Sequence, residues 1–347
     1  MRAALSAGLL LLALAGAHGM AAKRSPHVSR FHAPWGGETP REVALLALPQ
    51  TQKARGAGLR RRSSRIKYFI TSGSKFFDTR VRAINRTWGQ EVPHGDLTVL
   101  GDVGAQGVPA DLSAMRFVAT ACDDDHSVGL CCKYAEGVRQ AHAQMTADPS
   151  VEWAYFIDDD VYVRPKPLSR ALAAQRDHDD RGVVVSVMGC AADGCGPGIC
   201  GGAGFAVNRK AIERAIGGND TALLQAEMDF CYKCGNWSDV ALAEVYRAKG
   251  VEFRSVDGSH GWKMKKTQFD QALAGADPIL FHYIKTPQQM DTMHQLFTGA
   301  GTQRAEKYEP RRCAKFQGRV ACARSEEEPD TPWFQDDIDD LRGSSPP

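Results

Sequence analysis

Trp153-Ala154-Tyr155-Phe156-Ile157-Asp158-Asp159-Asp160-Val161-Tyr162-Val163 is the stretch that decides how this chain is read. An aromatic and apolar run of strand character ends in three adjacent carboxylates, and a second β-rich triplet follows. Acid is thereby delivered to the end of a buried strand. Like charges held side by side away from water are costly unless a cation or a proton relieves them. An acidic turn that merely faces water is the simpler account of such a cluster, so the rest of the chain has to decide.

Working outward, strands alternate with helices. Residues 66–71 read as a strand, after which Phe77, Val81, Ile84 and Trp88 fall on one helical face. Residues 96–100 and 115–120 are further strands. From Ser127 to about Met145 the pattern is helical, with Lys133, Tyr134, Val138 and Ala141 along it. Beyond the acidic triplet, residues 182–187, 251–254 and 280–284 read as strands. Such alternation predicts an α/β class with a single Rossmann-like domain and a mixed, largely parallel central sheet. Ligands of these sheets bind beyond the carboxyl ends of the strands, where Thr71, Asp102 and Asp158 to Asp160 fall.

Three more segments carry chemistry. Gly201-Gly202-Ala203-Gly204 lets the backbone approach a ligand closely and aim N–H groups at it, although most Gly-rich turns are only turns. In Asn236-Trp237-Ser238-Asp239-Val240, Ser238 reads as a helix N-cap and Asp239 enters the first turn, where the macrodipole favours the ionised form. His260 lies in a Gly-flanked loop and is free to be a ligand, whereas His282 in an apolar strand reads as a core histidine. Aspartates with a histidine suit Mn²⁺; a shell of cysteines would indicate zinc.

Composition sets the frame. The 347 residues are 43% apolar, enough for a substantial core, and 43 basic against 41 acidic residues leave no field that argues for nucleic acid. Residues 1–22 read as a secretory signal or short signal anchor, the only expected membrane contact. Residues 23–65, ending in Arg60-Arg61-Arg62-Ser63-Ser64-Arg65, read as a stem, 66–300 as the catalytic domain, and 301–347 as an acidic C-terminal extension. Ten cysteines, an even number, fit disulfides in an oxidising compartment. Cys231 and Cys234 form a CxxC spacing without the second pair a zinc site needs. Three sequons, at Asn85, Asn219 and Asn236, are compatible with the same compartment.

Taken in order, these segments resemble the Fringe-like and core 1 galactosyltransferase-like β1,3-glycosyltransferases of glycosyltransferase family 31, which have the GT-A fold. The resemblance rests on Arg80 eight residues before Trp88, Cys122 with Cys132-Lys133, Phe156 to Val163, Gly201 to Phe205, Ser238-Asp239-Val240 and Ser259-His260, with a further echo in Pro329 to Trp333. It covers roughly residues 66–300. It implies a Cys122–Cys132 disulfide, Mn²⁺ on Asp158, Asp160 and His260, and a UDP-sugar donor. Donor contacts would come from Thr71, Arg80, Asp102, Lys133, Asp158, Asp159, Gly202, Ala203 and Gly204, with Asp239 as catalytic base. Phe281-His282-Tyr283 is closer to the core 1 enzymes, where that histidine is the alternative metal ligand. The chain departs from Fringe proteins in lacking Cys just before the triplet and after the base, and in placing Phe334 where a final Cys is expected.

The implied function is an inverting, metal-dependent transfer of a hexose or N-acetylhexosamine from a UDP-sugar to an acceptor hydroxyl of a glycan or glycoprotein, in β1,3 linkage, within the Golgi lumen. The competing class is a catalytically silent relative that acts as a lectin-like module or chaperone. Intact Asp158-Asp159-Asp160 and Asp239 favour the enzyme. A calcium loop lacks the necessary EF-hand spacing.

Overall fold

Residues Ile66–Thr71 form β1 and Trp153–Asp158 form β4, the two central strands, and nearly every side chain of both is buried. Successive side chains of a strand point to opposite faces. Tyr68, Ile70, Trp153, Tyr155 and Ile157 accordingly enter one core, whereas Phe69, Ala154 and Phe156 enter the other. Phe156 stacks between Phe69 and Phe205, with ring centroids 5.2 and 5.0 Å away. Apolar on both faces, these strands belong inside a sheet covered by helices on both sides. The computed structural model that shows this describes residues 64–102, 107–112, 115–175, 181–264, 266–274, 277–299, 313–316 and 319–322.

Around β1 and β4 lie β2 (Leu97–Gly101), β3 (Arg116–Ala119), β6 (Val183–Ser186), β9 (Phe205–Asn208) and β10 (Glu252–Ser255). The sheet order is β10-β6-β9-β4-β1-β2-β3. All neighbours are parallel except that β9 runs antiparallel to both β4 and β6. This is the mixed, largely parallel α/β sheet expected. A smaller sheet joins β5 (Tyr162–Val163), β11 (Ser259–His260) and β12 (Leu280–Phe281), and β7 (Met188–Cys190) pairs with β8 (Gly198–Ile199).

On one face of the main sheet, α2 (Val128–Ala147), α4 (Arg209–Ile216) and α6 (Ser238–Ala248) bury Tyr134, Val138, Ile212, Leu242 and Tyr246. On the other, α1 (Arg82–Arg86), α3 (Pro165–Ala173), α7 (Lys266–Ala274) and α8 (Pro287–Thr298) bury Ile84, Leu168, Leu172, Phe269, Met290 and Met293. A capping box between Thr286 and Gln289 starts α8. Helix α5 (Asp220–Lys233) is bolted to α2 by Cys131–Cys231, and Cys122–Cys132, Cys190–Cys200 and Cys195–Cys234 complete the disulfides found. Cys231 and Cys234 thus have separate partners and form neither a zinc nor a redox pair.

Three local readings change. The face of Phe77, Val81, Ile84 and Trp88 is buried as expected, but a π-turn at Phe77–Val81 and a 3₁₀ turn at Trp88–Glu91 flank a five-residue α1. Trp237, not Ser238, occupies the N-cap of α6, and no side chain caps it. The expected strand at 280–284 stops at Phe281, because Tyr283 adopts φ 67°, a left-handed conformation that ends strand pairing.

The expected leader and almost all of the stem lie outside the described residues. Of the C-terminal extension, β13 (Cys313–Phe316) and β14 (Arg319–Cys322) form an antiparallel hairpin with Cys313 directly opposite Cys322. Among the described residues, no helix is long and apolar enough to cross a membrane.

Candidate active site

The acidic triplet does not face water. Thr71 and Asp158 are register partners at the carboxyl ends of β1 and β4, and Thr71 Oγ1 donates to Asp158 Oδ1 at 2.6 Å. Tyr134 Oη donates to the same oxygen at 3.2 Å. Asp158 is therefore held by one oxygen. Burial, then the charge of Asp160, raises its pKa, against the pull of the Thr71 hydrogen bond. Asp160 is itself buried and hydrogen-bonded to His282 Nε2 at 3.2 Å. Burial pushes the Asp160 carboxyl up, but the His282 contact and the nearby Arg80 and Lys285 charges outweigh it and hold the pKa below the ordinary value. His282 is shifted upward in return: burial disfavours its charge, and Asp160 and Asp158 more than restore it.

Asp159 points elsewhere. Its Oδ2 accepts from Ser72 Oγ at 2.6 Å and its Oδ1 from Arg80 at 2.8 Å. Arg80 also donates to the Lys285 carbonyl at 3.1 Å and lies over the Phe76 ring. Burial dominates and pushes Asp159 up to about 6, despite the opposing Arg80 charge. The middle carboxylate thus ties the end of β1 to the strand β4.

The glycine turn brings the remaining groups together. Gly201 N–H donates to Asp239 Oδ2 at 2.8 Å, and Val240 N–H donates to Asp239 Oδ1 at 2.8 Å. A Cβ on Gly201 would lie 2.5 Å from Asp239 Cβ and 3.1 Å from Tyr134 Oη. One on Gly202 would lie 2.6 Å from His282 Cε1 and 3.2 Å from Asp158 Oδ2. Neither position accepts a side chain without displacing a site residue. Asp239 sits in the first turn of α6, yet its pKa is raised: burial and the Asp158 charge outweigh the two backbone N–H bonds that favour the carboxylate. The dipole at a helix start is smaller than the desolvation this packing imposes.

Oxygen atoms of Asp158 and Asp160 and a ring nitrogen of His282 all lie within 4.8 Å of one another. Two carboxylates and an imidazole form a donor set suited to a hard or borderline divalent cation. The supporting contacts fit as well. His282 Nδ1 lies 3.1 Å from the Gly261 carbonyl, which can only accept, so Nδ1 carries a proton. Nε2 donates to Asp160 while the ring is charged, and loss of that proton would free its lone pair for a metal. His260, the expected ligand, is outside this trio. Its ring stacks on Phe281 at 4.9 Å between centroids, and burial lowers its pKa. The pairing of β11 with β12 sets their places: His260 is opposite Phe281, and His282, one residue on, donates its backbone N–H to the His260 carbonyl.

Lys133 is buried on α2, with Nζ 2.6 Å from Asp124 and 3.3 Å from the Ser72 carbonyl. Asp124 also accepts from the Ser74 backbone at 3.1 Å, so Lys133 orders the loop that follows β1. Asp102 is exposed just past β2. Ala203 is buried, and Gly204, at φ 93°, packs where a Cβ would strike Ile157 and Tyr155 at 2.5 Å. Tyr134, His282 and Ser72 are the site residues that the sequence left unassigned or ranked low.

A family model described as Fringe-like matches residues 63–185, a span that includes β1, β4 and the acidic triplet. A search of curated proteins finds no match. Among solved structures, the chain is similar to a glycosyltransferase involved in glycosylation of the major capsid of PBCV-1, at 14% identity and TM-score 0.41, over 67% of this chain and 99% of that one. A second similar structure is described as mannose-1-phosphate geranyltransferase from Thermus thermophilus, at 13% identity and TM-score 0.31, over 57% and 70%. The Fringe-like match supports a glycosyltransferase. Four disulfides fit a protein of the secretory pathway.

Proposed function

We propose that this chain is an inverting glycosyltransferase of GT-A type, which moves a hexose or N-acetylhexosamine from a UDP-sugar to an acceptor sugar hydroxyl in β1,3 linkage in the Golgi lumen. The observation that carries this is the turn Gly201-Gly202, which abuts the Asp158–Asp160–His282 trio on one side and holds Asp239 on the other. Asp158, Asp160 and His282 would hold a divalent cation, with Mn²⁺ the best match to the donor set. Bound there, the cation supplies Lewis-acid stabilisation of charge on the departing nucleoside diphosphate.

The protein's own groups do the rest. Asp239 takes the proton of the acceptor hydroxyl as that oxygen attacks the anomeric carbon from the face opposite the diphosphate. Its raised pKa makes it a stronger base than an exposed aspartate. Both carboxylate oxygens are pinned by backbone N–H groups, so the base is oriented before substrate arrives. Thr71 and Tyr134 orient Asp158, Ser72 and Arg80 fix the strand end through Asp159, and Lys133 holds the loop after β1.

A panel of UDP-sugars assayed for metal-dependent hydrolysis names the donor. Asp160→Ala is expected to abolish that hydrolysis, and Asp239→Asn to keep UDP binding while losing transfer. Wild-type transfer by either variant removes that residue from the mechanism, and no hydrolysis of any UDP-sugar by the wild type refutes the enzyme reading.

A further inference from the structure

Four tryptophans are described, and they divide sharply. Trp88 and Trp153 are buried in the core, whereas Trp237 is 48% and Trp262 56% exposed. A single exposed apolar side chain is ordinary on a protein surface, so it is the position and fixed backbone of these residues that carry information. Both exposed tryptophans are close in sequence to residues of the candidate site. Trp237 is two residues before Asp239, and Trp262 follows Gly261, whose carbonyl fixes His282. Tyr232, five residues before Trp237, is 65% exposed.

The segment carrying Trp237 is rigid, although its side chain is open. Cys231 is bonded to Cys131 on α2, and Cys234 to Cys195. Gly235 and Asn236 then adopt φ 65° in succession. Asn tolerates that region better than most residues, but two left-handed residues in a row are an imposed conformation. Asn236 N–H donates to the Cys231 carbonyl at 2.8 Å, and the Trp237 carbonyl accepts from Ala241 N–H at 2.9 Å. The backbone is therefore fixed on both sides of the indole. The Trp237 ring edge lies 3.7 Å from where a Gly235 Cβ would sit, so the indole lies beside this turn.

We propose that Trp237 is an acceptor platform, on which the pyranose ring of the acceptor glycoside stacks while its hydroxyl reaches Asp239. The inference rests on the transferase reading above. Inversion requires the acceptor to approach from the side away from the diphosphate. Asp158, Asp160 and His282 lie across Gly202 from Asp239, which leaves the start of α6, with Trp237 at its N-cap, on the acceptor side. The chemistry fits: the electron-rich indole face attracts the polarised C–H bonds of one sugar face, and the ring hydroxyls stay in water. A platform held rigid before binding loses little entropy when the ligand arrives. The competing occupant is a glycan on Asn236 itself, since Asn236-Trp237-Ser238 is a sequon.

The test titrates wild type, Trp237→Ala and Trp237→Phe with methyl glycosides of galactose, N-acetylgalactosamine, N-acetylglucosamine and fucose, reading tryptophan fluorescence. The best binder is then used as acceptor. The expected result is a saturable fluorescence change that Trp237→Ala loses, a rise of roughly tenfold in acceptor KM for Trp237→Ala that Trp237→Phe largely restores, and an unchanged UDP affinity. An unaltered acceptor KM in Trp237→Ala, no response of the wild type to any of the four glycosides, or a glycan found on Asn236 by peptide mass spectrometry overturns the proposal. A wild type that binds a glycoside through Trp237 but turns over no UDP-sugar upholds the platform and removes the transferase reading instead.

Discussion

Glu227 on α5 is the most exposed test of the energetic reasoning, because it is 0% accessible and neither carboxylate oxygen has a hydrogen-bond partner. Burial, and then the charge of Asp239, raises its pKa well above the ordinary glutamate value. Tyr246, also buried, has an equally unpartnered hydroxyl and is raised by burial and by Glu227. Replacing Glu227 by methionine keeps the length and flexibility of the side chain and removes a polar group that gains nothing from its surroundings. That removal is worth about 1–3 kcal/mol on the scale of protein substitutions. The effect must depend on pH. Below about 4.3, the unfolded-state value, both states bind the proton and carry no differential cost. Above it the unfolded chain ionises while folded Glu227 stays protonated, so wild-type stability falls as pH rises, by up to ~1.4 kcal/mol per unit until the raised folded value is passed. The methionine variant lacks that slope. Urea unfolding of both proteins with disulfides intact, at pH 4.5, 6 and 7.5, should show the variant more stable, by a margin that grows with pH. A margin that stays flat, or a variant less stable at pH 7.5, refutes the claim that this carboxyl is buried without compensation.

Two further outcomes concern the site. Tyr134→Phe leaves the ring packed edge-on against Phe205 and removes the hydroxyl that bonds Asp158 and meets Thr71. Residues that orient a metal ligand commonly change affinity 10–100-fold, and Thr71 still holds the same oxygen, so the expectation is about a tenfold loss of Mn²⁺ affinity by titration, with the melting temperature nearly unchanged. Equal affinity would show that Thr71 suffices. Asp239 must be ionised to accept a proton, and burial followed by the Asp158 charge raises its pKa. The acid limb of the kcat/KM profile for transfer should therefore lie above the ~3.9 of an ordinary aspartate; a limb at or below that value rules out a base in this environment.

Much of the scaffold was legible because it is written in local pattern. The strand expected at 66–71 has the bounds of β1, and the aromatic run before the triplet becomes β4, since an apolar stretch of that length must be buried on both faces. What escaped the sequence depends on partners from distant elements. His282 reads as a core histidine because its neighbours Leu280 and Phe281 are apolar, and only the left-handed turn at Tyr283 and the pairing with β11 show that its ring faces Asp160. Tyr134 falls in the apolar stripe of α2, so nothing local distinguishes its hydroxyl from that of a packing tyrosine. Asp159 cannot be told from its neighbours in a run of three until Ser72 and Arg80 are seen to claim it. The expected depression of Asp239 by the helix dipole was a correct local argument overruled by tertiary burial.

The geometry also explains why glycine, and not merely a small residue, belongs at the centre. The Gly201 amide holds the Asp239 carboxylate, while its missing Cβ lets α6 approach to a distance that alanine would forbid. The next residue does the same toward His282 and Asp158. One backbone turn therefore sets the spacing between Asp239 and the Asp158–Asp160–His282 trio, and an error there would displace both together. The turn is anchored immediately upstream: Cys200 is bonded to Cys190, and its N–H donates to the Val187 carbonyl at 2.8 Å. A transfer that needs donor and acceptor groups placed within fractions of an ångström is best served by such a preformed element. The disulfide beside the glycines restricts the turn that packs against Asp239 on one side and against Asp158 and His282 on the other.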